Sequence, residues 1–373
     1  MTLRAQARVN LAAIERNCRR LAGALAPGAA LGAVVKANGY GHGAAPAARA
    51  ALAGGASWLC VATADEAAEL RASSIAARIL VMGALAPAEL DVALEARADV
   101  VAWDGRFVAE VAARSRRPVG VHVKLDTGMG RLGTRDAAVA DAIAAEIART
   151  PGLELAGAMT HMATSDDDPE FMAVQLERFR EWAGPLGARQ RDLVVHAANS
   201  GATLRGPDAH FDLVRCGIAI YGLDPFHLDA EGQQLEPALE LTSYVAAVKA
   251  VAPGDSVGYG RRFVAEEDGW VATVPIGYGD GVRRAFTNNL EVLIGGRRRP
   301  VVGAVSMDNV TVLLEGPDVA VGEPVTLIGR QGKEHLSAEE LARRIDTINY
   351  EIVCGITARV PRVYHRDGAA ATG

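Results

Sequence analysis

The sequence predicts a closed (β/α)8 barrel, of the TIM type, followed by a mostly β domain, and three observations lead there. Short apolar runs alternate with helical patterns through eight strand candidates before residue 217, as parallel strands buried on both faces do. Polar or ionisable residues close several of those runs, at the rim where barrel enzymes carry their sites. After Pro237 the alternation stops, and strands broken by Gly, Pro and Asp follow. An open doubly wound sheet usually has fewer strands, so the closed barrel is preferred. The expected division is residues 1–236 and 237–373.

A helix comes first: after Asn10 as cap, Leu11, Ile14, Cys18, Leu21 and Leu25 repeat on one face. The strand Leu31–Lys36 leads to a helix over His42–Leu52, and Trp58–Ala62 leads to Asp65–Ala72 with Asp65 as cap. Arg78–Met82 leads to Pro87–Ala96, whose proline suits a first turn. Asp99–Ala102 precedes Arg106–Arg114, Val119–Leu125 precedes Arg135–Ala148, and Leu155–Thr160 precedes Pro169–Trp182. Leu193–Ala197 leads to a short helical turn at Ser200–Leu204, and Leu213–Cys216 is the eighth strand. In the second domain, strands are expected at Tyr244–Val251, Trp270–Pro275, Leu290–Ile294, Val310–Leu314 and Val325–Ile328. One clear helix, Ala338–Arg344, is opened by Ser337 with Glu340 in capping-box spacing. The basic run Arg297–Arg299 follows two glycines and reads as a solvated turn.

Composition narrows the class. The 373 residues are 50% hydrophobic and 23% charged, the balance of a globular protein. A net charge of −6 argues against a nucleic-acid surface. Four scattered cysteines without a C-x-x-C pair fit thiols in a reducing compartment. No signal-peptide pattern opens the sequence, and no apolar stretch approaches the ~20 residues a membrane span needs. A cytoplasmic protein acting on a small molecule is expected, with no membrane or nucleic-acid partner.

Along the expected rim stand Lys36, Lys124 with Asp126 and Arg131, His161, Asn199 with Ser200, and Arg215 with Gly217. Lys36 opens the run Lys-Ala-Asn-Gly-Tyr-Gly-His-Gly, whose glycines let backbone approach a ligand closely. That is also where a Schiff-base lysine would be needed. His122, within Val-His-Val, reads as a satisfied barrel histidine, and His42 as an orienting group for its loop. His210, His227, His335 and His365 lack metal-ligand spacing, so no metal is expected. Gly128-Met-Gly-Arg-Leu-Gly133 matches G-x-G-x-x-G, yet it follows the fifth strand and no acidic residue ends the next one. A dinucleotide site is rejected.

Nine motifs in chain order resemble those of the alanine racemase family. They are Val34-Val-Lys-Ala-Asn-Gly-Tyr-Gly-His-Gly43, Val123-Lys-Leu-Asp-Thr-Gly-Met-Gly-Arg-Leu-Gly133, Thr160-His-Met-Ala163, His196-Ala-Ala-Asn-Ser200 and Arg215-Cys-Gly-Ile-Ala-Ile-Tyr-Gly222. The second domain adds Val257-Gly-Tyr-Gly260, Pro275-Ile-Gly-Tyr-Gly-Asp-Gly281, Ser306-Met-Asp308 and Ile348-Asn-Tyr-Glu351. The resemblance implies interconversion of L- and D-alanine, supplying D-alanine for bacterial peptidoglycan. It implies pyridoxal 5'-phosphate held by Lys36 as an aldimine, with Lys36 as one base and Tyr259, from the partner of a homodimer, as the other. Tyr40, Ser200, Gly217, Ile218 and Tyr350 would bind the cofactor's phosphate. Arg215 would face the pyridine nitrogen with His161 beside it, and Arg131 with the Met307 backbone would take the substrate carboxylate. Lys124, often carbamylated in the family, would brace Arg131, and Tyr278 of the partner would shape the entrance. Two positions depart from the family's usual residues: Ser306, where cysteine is common, and Gly39, where alanine is.

The chemistry is consistent with these roles. Racemisation removes a Cα proton on one face and returns one on the other, so one base per face suffices. Lysine and tyrosine both titrate near ~10 unperturbed and need tuning; His161 and Arg215 would supply positive charge for the tyrosine. An arginine at the pyridine nitrogen keeps that nitrogen unprotonated and weakens the electron sink. Two rival readings fit these residues less well. A pyridoxal-phosphate decarboxylase on the same plan would carry an acid where Arg215 stands. A non-catalytic cofactor-binding protein would lack the domain carrying Tyr259, Met307 and Tyr350.

Overall fold

The computed structural model describes residues 3–190 and 192–371. It divides into two compact units: one of Ile14–Phe226 with Ala230–Glu236, the other of the N-terminal residues through Ala13, His227–Asp229 and the chain from Pro237 onward. The first strand, β1 (Gln6–Asn10), therefore belongs with the β-rich residues. It pairs antiparallel with Leu239–Tyr244 and parallel with Arg362–Arg366.

The larger unit holds eight parallel strands: β2 (Ala30–Val34), β3 (Ala56–Val61), β4 (Arg78–Val81), β5 (Asp99–Ala102), β6 (Val119–Lys124), β7 (Leu153–Met159), β8 (Val194–His196) and β9 (Leu213–Cys216). Their order is β8-β7-β6-β5-β4-β3-β2-β9. The two end strands meet, because Arg215 N donates to Ala198 O at 2.9 Å and Asp212 N to Val195 O at 3.0 Å. The result is the near-closed barrel the alternation implied. Every residue of β5 and β6 is buried, which is why they read as continuous runs.

Helix starts follow side-chain capping. Asn10 Oδ1 accepts from Ala12 N at the head of Leu11–Gly23, and Asp104, Asp136, Asp168 and Asn199 cap later helices. One cap differs from expectation: Thr63, not Asp65, caps Ala64–Ala72, in a reciprocal box with Glu66. The helix expected at Pro169–Trp182 continues to Arg189.

The second unit is an eleven-stranded sheet with small helices. The run expected as one strand over Tyr244–Val251 is two, Leu239–Tyr244 and Ala247–Val251. Arg297–Arg299 is not a solvated turn but the start of the strand Arg297–Val302. The turn is Gly295-Gly296, both at positive φ, linking that strand to Leu290–Ile294. Arg298 is tolerated there through Glu291, Glu334 and Glu340, and the buried Arg299 through Asp318 at 2.6 Å. Glu340 is consequently drawn to Arg298 and Arg344, while its backbone N–H alone uses the Ser337 cap. A second short helix, Asn349–Cys354, carries Tyr350 and was not expected. Among the described residues no helix is long and apolar enough to cross a membrane.

Candidate active site

The barrel unit gathers the polar residues at its strand ends. Lys36 lies two residues beyond β2 and is half-buried. The backbone after it turns left-handed: Ala37, Asn38, Gly39 and Tyr40 have φ of 51, 53, 60 and 51°. For the non-glycine residues this costs about 1–2 kcal/mol each, so neighbours must hold it. Glu66 Oε1 accepts from Ala37 N at 2.6 Å, Asn38 Oδ1 from Ala44 N at 3.0 Å, and His42 Nδ1 donates to Tyr40 O at 2.9 Å. His42 in turn stacks on Tyr221, whose hydroxyl donates to Val34 O. These contacts fix where Lys36 leaves the barrel.

Three further cations share its electrostatic neighbourhood, since Lys36, Lys124, Arg131 and Arg215 all act on His161. Lys124 ends β6, is buried, and has its pKa lowered to about 8 by burial and by Arg215, Arg131 and Lys36. Arg131 stands exposed on the following loop. That loop is wrapped on Asp126, which accepts from the N–H groups of Gly128, Met129 and Gly130. The fingerprint-like glycines thus enclose a carboxylate of the chain itself. Arg215, near the end of β9, is buried; burial lowers its pKa to about 10, leaving it charged at neutral pH. Its Nη2 donates to Thr160 O at 2.8 Å and Ala197 O at 3.0 Å, and lies 3.4 Å from His161 Nδ1. Its Nε is buried and has no hydrogen-bond partner among the described residues. His161 is held well below its usual pKa by burial and by Arg215, so of that pair only Arg215 supplies positive charge.

Beside them lies a small polar cradle. Ser200 Oγ accepts from Gly217 N at 2.9 Å and Ala219 N at 3.3 Å. A Cβ on Gly217 would fall 2.4 Å from the Tyr40 hydroxyl, so only glycine leaves room for that ring. Ile218 opens the short 3-10 turn that follows. Tyr40, Ser200, Gly217 and Ile218 are thereby brought together, with donors suited to an anion.

The remaining expected residues belong to the second unit. Tyr259 stands between Gly258 and Gly260, both at positive φ, and is 75% exposed. Tyr278 and Met307 are also exposed and share a platform: Tyr278 N donates to Ser306 O and Gly279 N to Met307 O. Gly277 makes that approach possible, since a Cβ there would meet Ser306 O at 2.3 Å. Asp280, fully buried, pins the turn through Gly277 N, Arg4 and Arg359. Tyr350 is half-buried, edge-on to His227. Sequence reasoning did not find Glu66, Asp280 or Arg4, whose roles depend on partners far along the chain. It also passed over His196 as a contact of Arg215, at 2.8 Å, although that histidine stands at the end of its strand.

The barrel unit can therefore hold an anionic group in a hydroxyl and backbone cradle, and can offer a buried unpartnered N–H to an acceptor. It also presents a lysine on a strained, well-anchored turn. Residues 9–225 match the family model "Alanine racemase, N-terminal domain" and residues 238–364 match "Alanine racemase, C-terminal domain". The chain is 44% identical over 367 residues to the alanine racemase of Symbiobacterium thermophilum, covering 96% of each. Among solved structures, it resembles alanine racemase from D-cycloserine-producing Streptomyces lavendulae, with TM-score 0.92, 37% identity and 98% coverage of both chains. It also resembles the Bacillus anthracis alanine racemase with bound L-Ala-P, with TM-score 0.91, 38% identity and coverage of 100% of this chain and 97% of that one.

Proposed function

This chain belongs to the alanine racemase family and interconverts L- and D-alanine, and we propose that it does so with pyridoxal 5'-phosphate and two bases, Lys36 and Tyr259. D-alanine made this way feeds bacterial peptidoglycan. The observation that carries the cofactor reading is Arg215 Nε, a buried donor with no protein partner, which a pyridine nitrogen would satisfy. Lys36 would hold the cofactor covalently, Tyr40, Ser200, Gly217, Ile218 and Tyr350 its phosphate, and Arg215 its ring nitrogen with His161 adjacent. When bound, pyridoxal phosphate supplies an electron sink that acidifies the substrate's Cα–H bond.

The protein's own groups then move the proton. Arg131 and the Met307 backbone fix the carboxylate of the amino acid, so that Cα presents one face to each base. Tyr259 Oη takes the proton from L-alanine while Lys36 Nζ delivers one to the opposite face; from D-alanine the roles reverse. Arg215 stays protonated at neutral pH because its pKa remains near 10, so the ring nitrogen it faces is left without a proton. Weakening the sink in this way restrains transamination. Lys124, with its pKa near 8, has a nucleophilic neutral fraction that adds to carbon dioxide, losing a proton to solvent as the N–C bond forms. The resulting carbamate would offset the surrounding cations and brace Arg131. Tyr259, Tyr278 and Met307 would serve the barrel mouth of a second copy, making the working unit a cytoplasmic homodimer. Their exposure in one chain supports that reading.

The test is a chiral assay of the purified protein on a panel of L-amino acids, with its visible spectrum. Racemisation of alanine by a yellow protein, and borohydride fixing the cofactor on the peptide containing Lys36, is the expected result. Label on another lysine, or a colourless active protein, would overturn the cofactor assignment.

A further inference from the structure

Arg215 is the end of a longer polar chain that crosses the barrel interior. Its Nη1 donates to His196 Nδ1 at 2.8 Å, His196 Nε2 lies 2.8 Å from His122 Nδ1, and His122 Nε2 lies 3.3 Å from Asp99 Oδ2. His196 closes β8, His122 lies within β6, and Asp99 opens β5, so the chain runs from the far end of the barrel toward its mouth. A guanidinium only donates and a carboxylate only accepts, and the two ends together set every proton along the way. His196 must accept at Nδ1 and therefore carries its hydrogen on Nε2. His122 must then accept at Nδ1, carry its hydrogen on Nε2, and donate it to the Asp99 carboxylate. Both rings are neutral and wholly buried, and burial depresses their pKa values in keeping with this.

The barrel makes room for this chain at two glycines. A Cβ on Gly157 would fall 2.0 Å from His122 Nδ1, and one on Gly120 would fall 2.6 Å from Asp99 Oδ1. The neighbouring strands β6 and β7 thus leave space for a carboxylate and an imidazole, where any side chain larger than hydrogen would collide. The far end is anchored too: Arg78 Nε donates to Asp99 Oδ2 at 2.7 Å and lies over Trp58, whose ring meets His122 edge-on.

We propose that Asp99 and His122 are positioning residues for the racemisation: through His196 they hold the Arg215 guanidinium in one orientation, with its Nε presented to the site. The proposal rests on the reading that Arg215 faces the cofactor's ring nitrogen. The chain's single polarity ties a buried cation to a distant carboxylate through two neutral rings. Without the carboxylate end, either histidine can take its other tautomer, and an Nδ1–H on His196 would oppose Arg215 Nη1, donor against donor. The guanidinium would then turn.

Two measurements test this. Nitrogen-15 NMR of the full chain, with and without cofactor, reads the His196 tautomer directly. The Nε2–H form is expected in the native protein and a mixture in Asp99→Asn and His122→Phe. A proton on Nδ1, or a charged ring at neutral pH, in the native protein overturns the proposal even if neither variant folds. The second measurement counts racemisation turnovers per abortive transamination, with Arg215→Glu as reference. Both variants should lower that ratio about tenfold, a loss of the size that removing the outer partners of metal ligands causes, while KM for alanine stays within about twofold. If Arg215→Glu shifts the ratio and the two variants do not, the positioning role is wrong and the site reading stands. If Arg215→Glu itself leaves the ratio unchanged, the site reading fails and takes this one with it.

Discussion

The barrel mouth and the β unit hold the residues proposed for the site in opposite ways. At the mouth, Arg215 and Ser200 are each 2% exposed and Lys124 4%, and Arg215 and Ser200 are hydrogen-bonded within their own unit. In the β unit, Tyr259 is 75% exposed, Met307 51% and Tyr278 41%, although Asp280 pins the turn that carries Tyr278. A side chain that only fills space is buried, and a side chain left at the surface on a rigid turn is positioned for something outside its unit. The contrast agrees with the proposal that the barrel mouth lacks one base in a single chain and that the exposed Tyr259 of a second copy supplies it.

The largest effect should come from the bases themselves, and it should differ between the regions. Lys36→Ala should abolish racemisation by at least about ten-thousandfold and leave the protein colourless. Tyr259→Phe should cost about a thousandfold yet stay yellow, with its unfolding free energy within about 0.5 kcal/mol of native. Absorption spectra and chemical denaturation read all of this. A Tyr259→Phe protein that loses its colour would mean the two regions are not separable.

Next in size is packing. Gly157→Ala places a methyl group against His122 in the closed barrel and should cost about 3 kcal/mol. Gly316→Ala, in the β unit with nothing within 4 Å of the added atom, should shift stability by less than about 0.5 kcal/mol. Equal costs in urea unfolding would show that the barrel interior is looser than its geometry.

A graded pH dependence completes the set, its depressed rings being His122, His161 and His196 in the barrel and His365 in the β unit. His122 and His196 are both depressed from the usual 6.5 by burial. Below that value the unfolded chain binds protons that the folded chain refuses, so stability falls as pH falls. The slope from these rings is at most about 1.4 kcal/mol per pH unit for each. Denaturation between about pH 7 and pH 5 should show the loss, and His122→Phe should make it shallower. A native profile flat over that range would mean the rings charge freely.

Much of the barrel was legible because its strands are buried on both faces and end in polar residues, as Val119–Lys124 does. The residues around Lys36, Lys124 and Arg215 were legible for the same reason, sitting where apolar runs stop. The β unit was read less well. Arg297–Arg299 looks like a turn until Glu291, Glu334, Glu340 and Asp318 arrive from elsewhere to neutralise it. The Asp99–His122–His196 chain was invisible for the same reason. Each member sits on a different strand, and only closure of the barrel makes them neighbours. The left-handed turn at Ala37–Tyr40 was hinted at by its glycines, but its anchor Glu66 lies a helix away.

The proposed working site takes Lys36 from one chain and Tyr259 from another, and subunit exchange separates this arrangement from a site within one chain. Inactive Lys36→Ala and inactive Tyr259→Phe proteins are mixed under conditions that exchange subunits, and mass spectrometry confirms mixed dimers. A mixed dimer then has one site with both native bases and one with neither. If half the dimers are mixed, activity should return to about a quarter of the native level. Mixed dimers with no returned activity would contradict the shared site and put both bases in one chain.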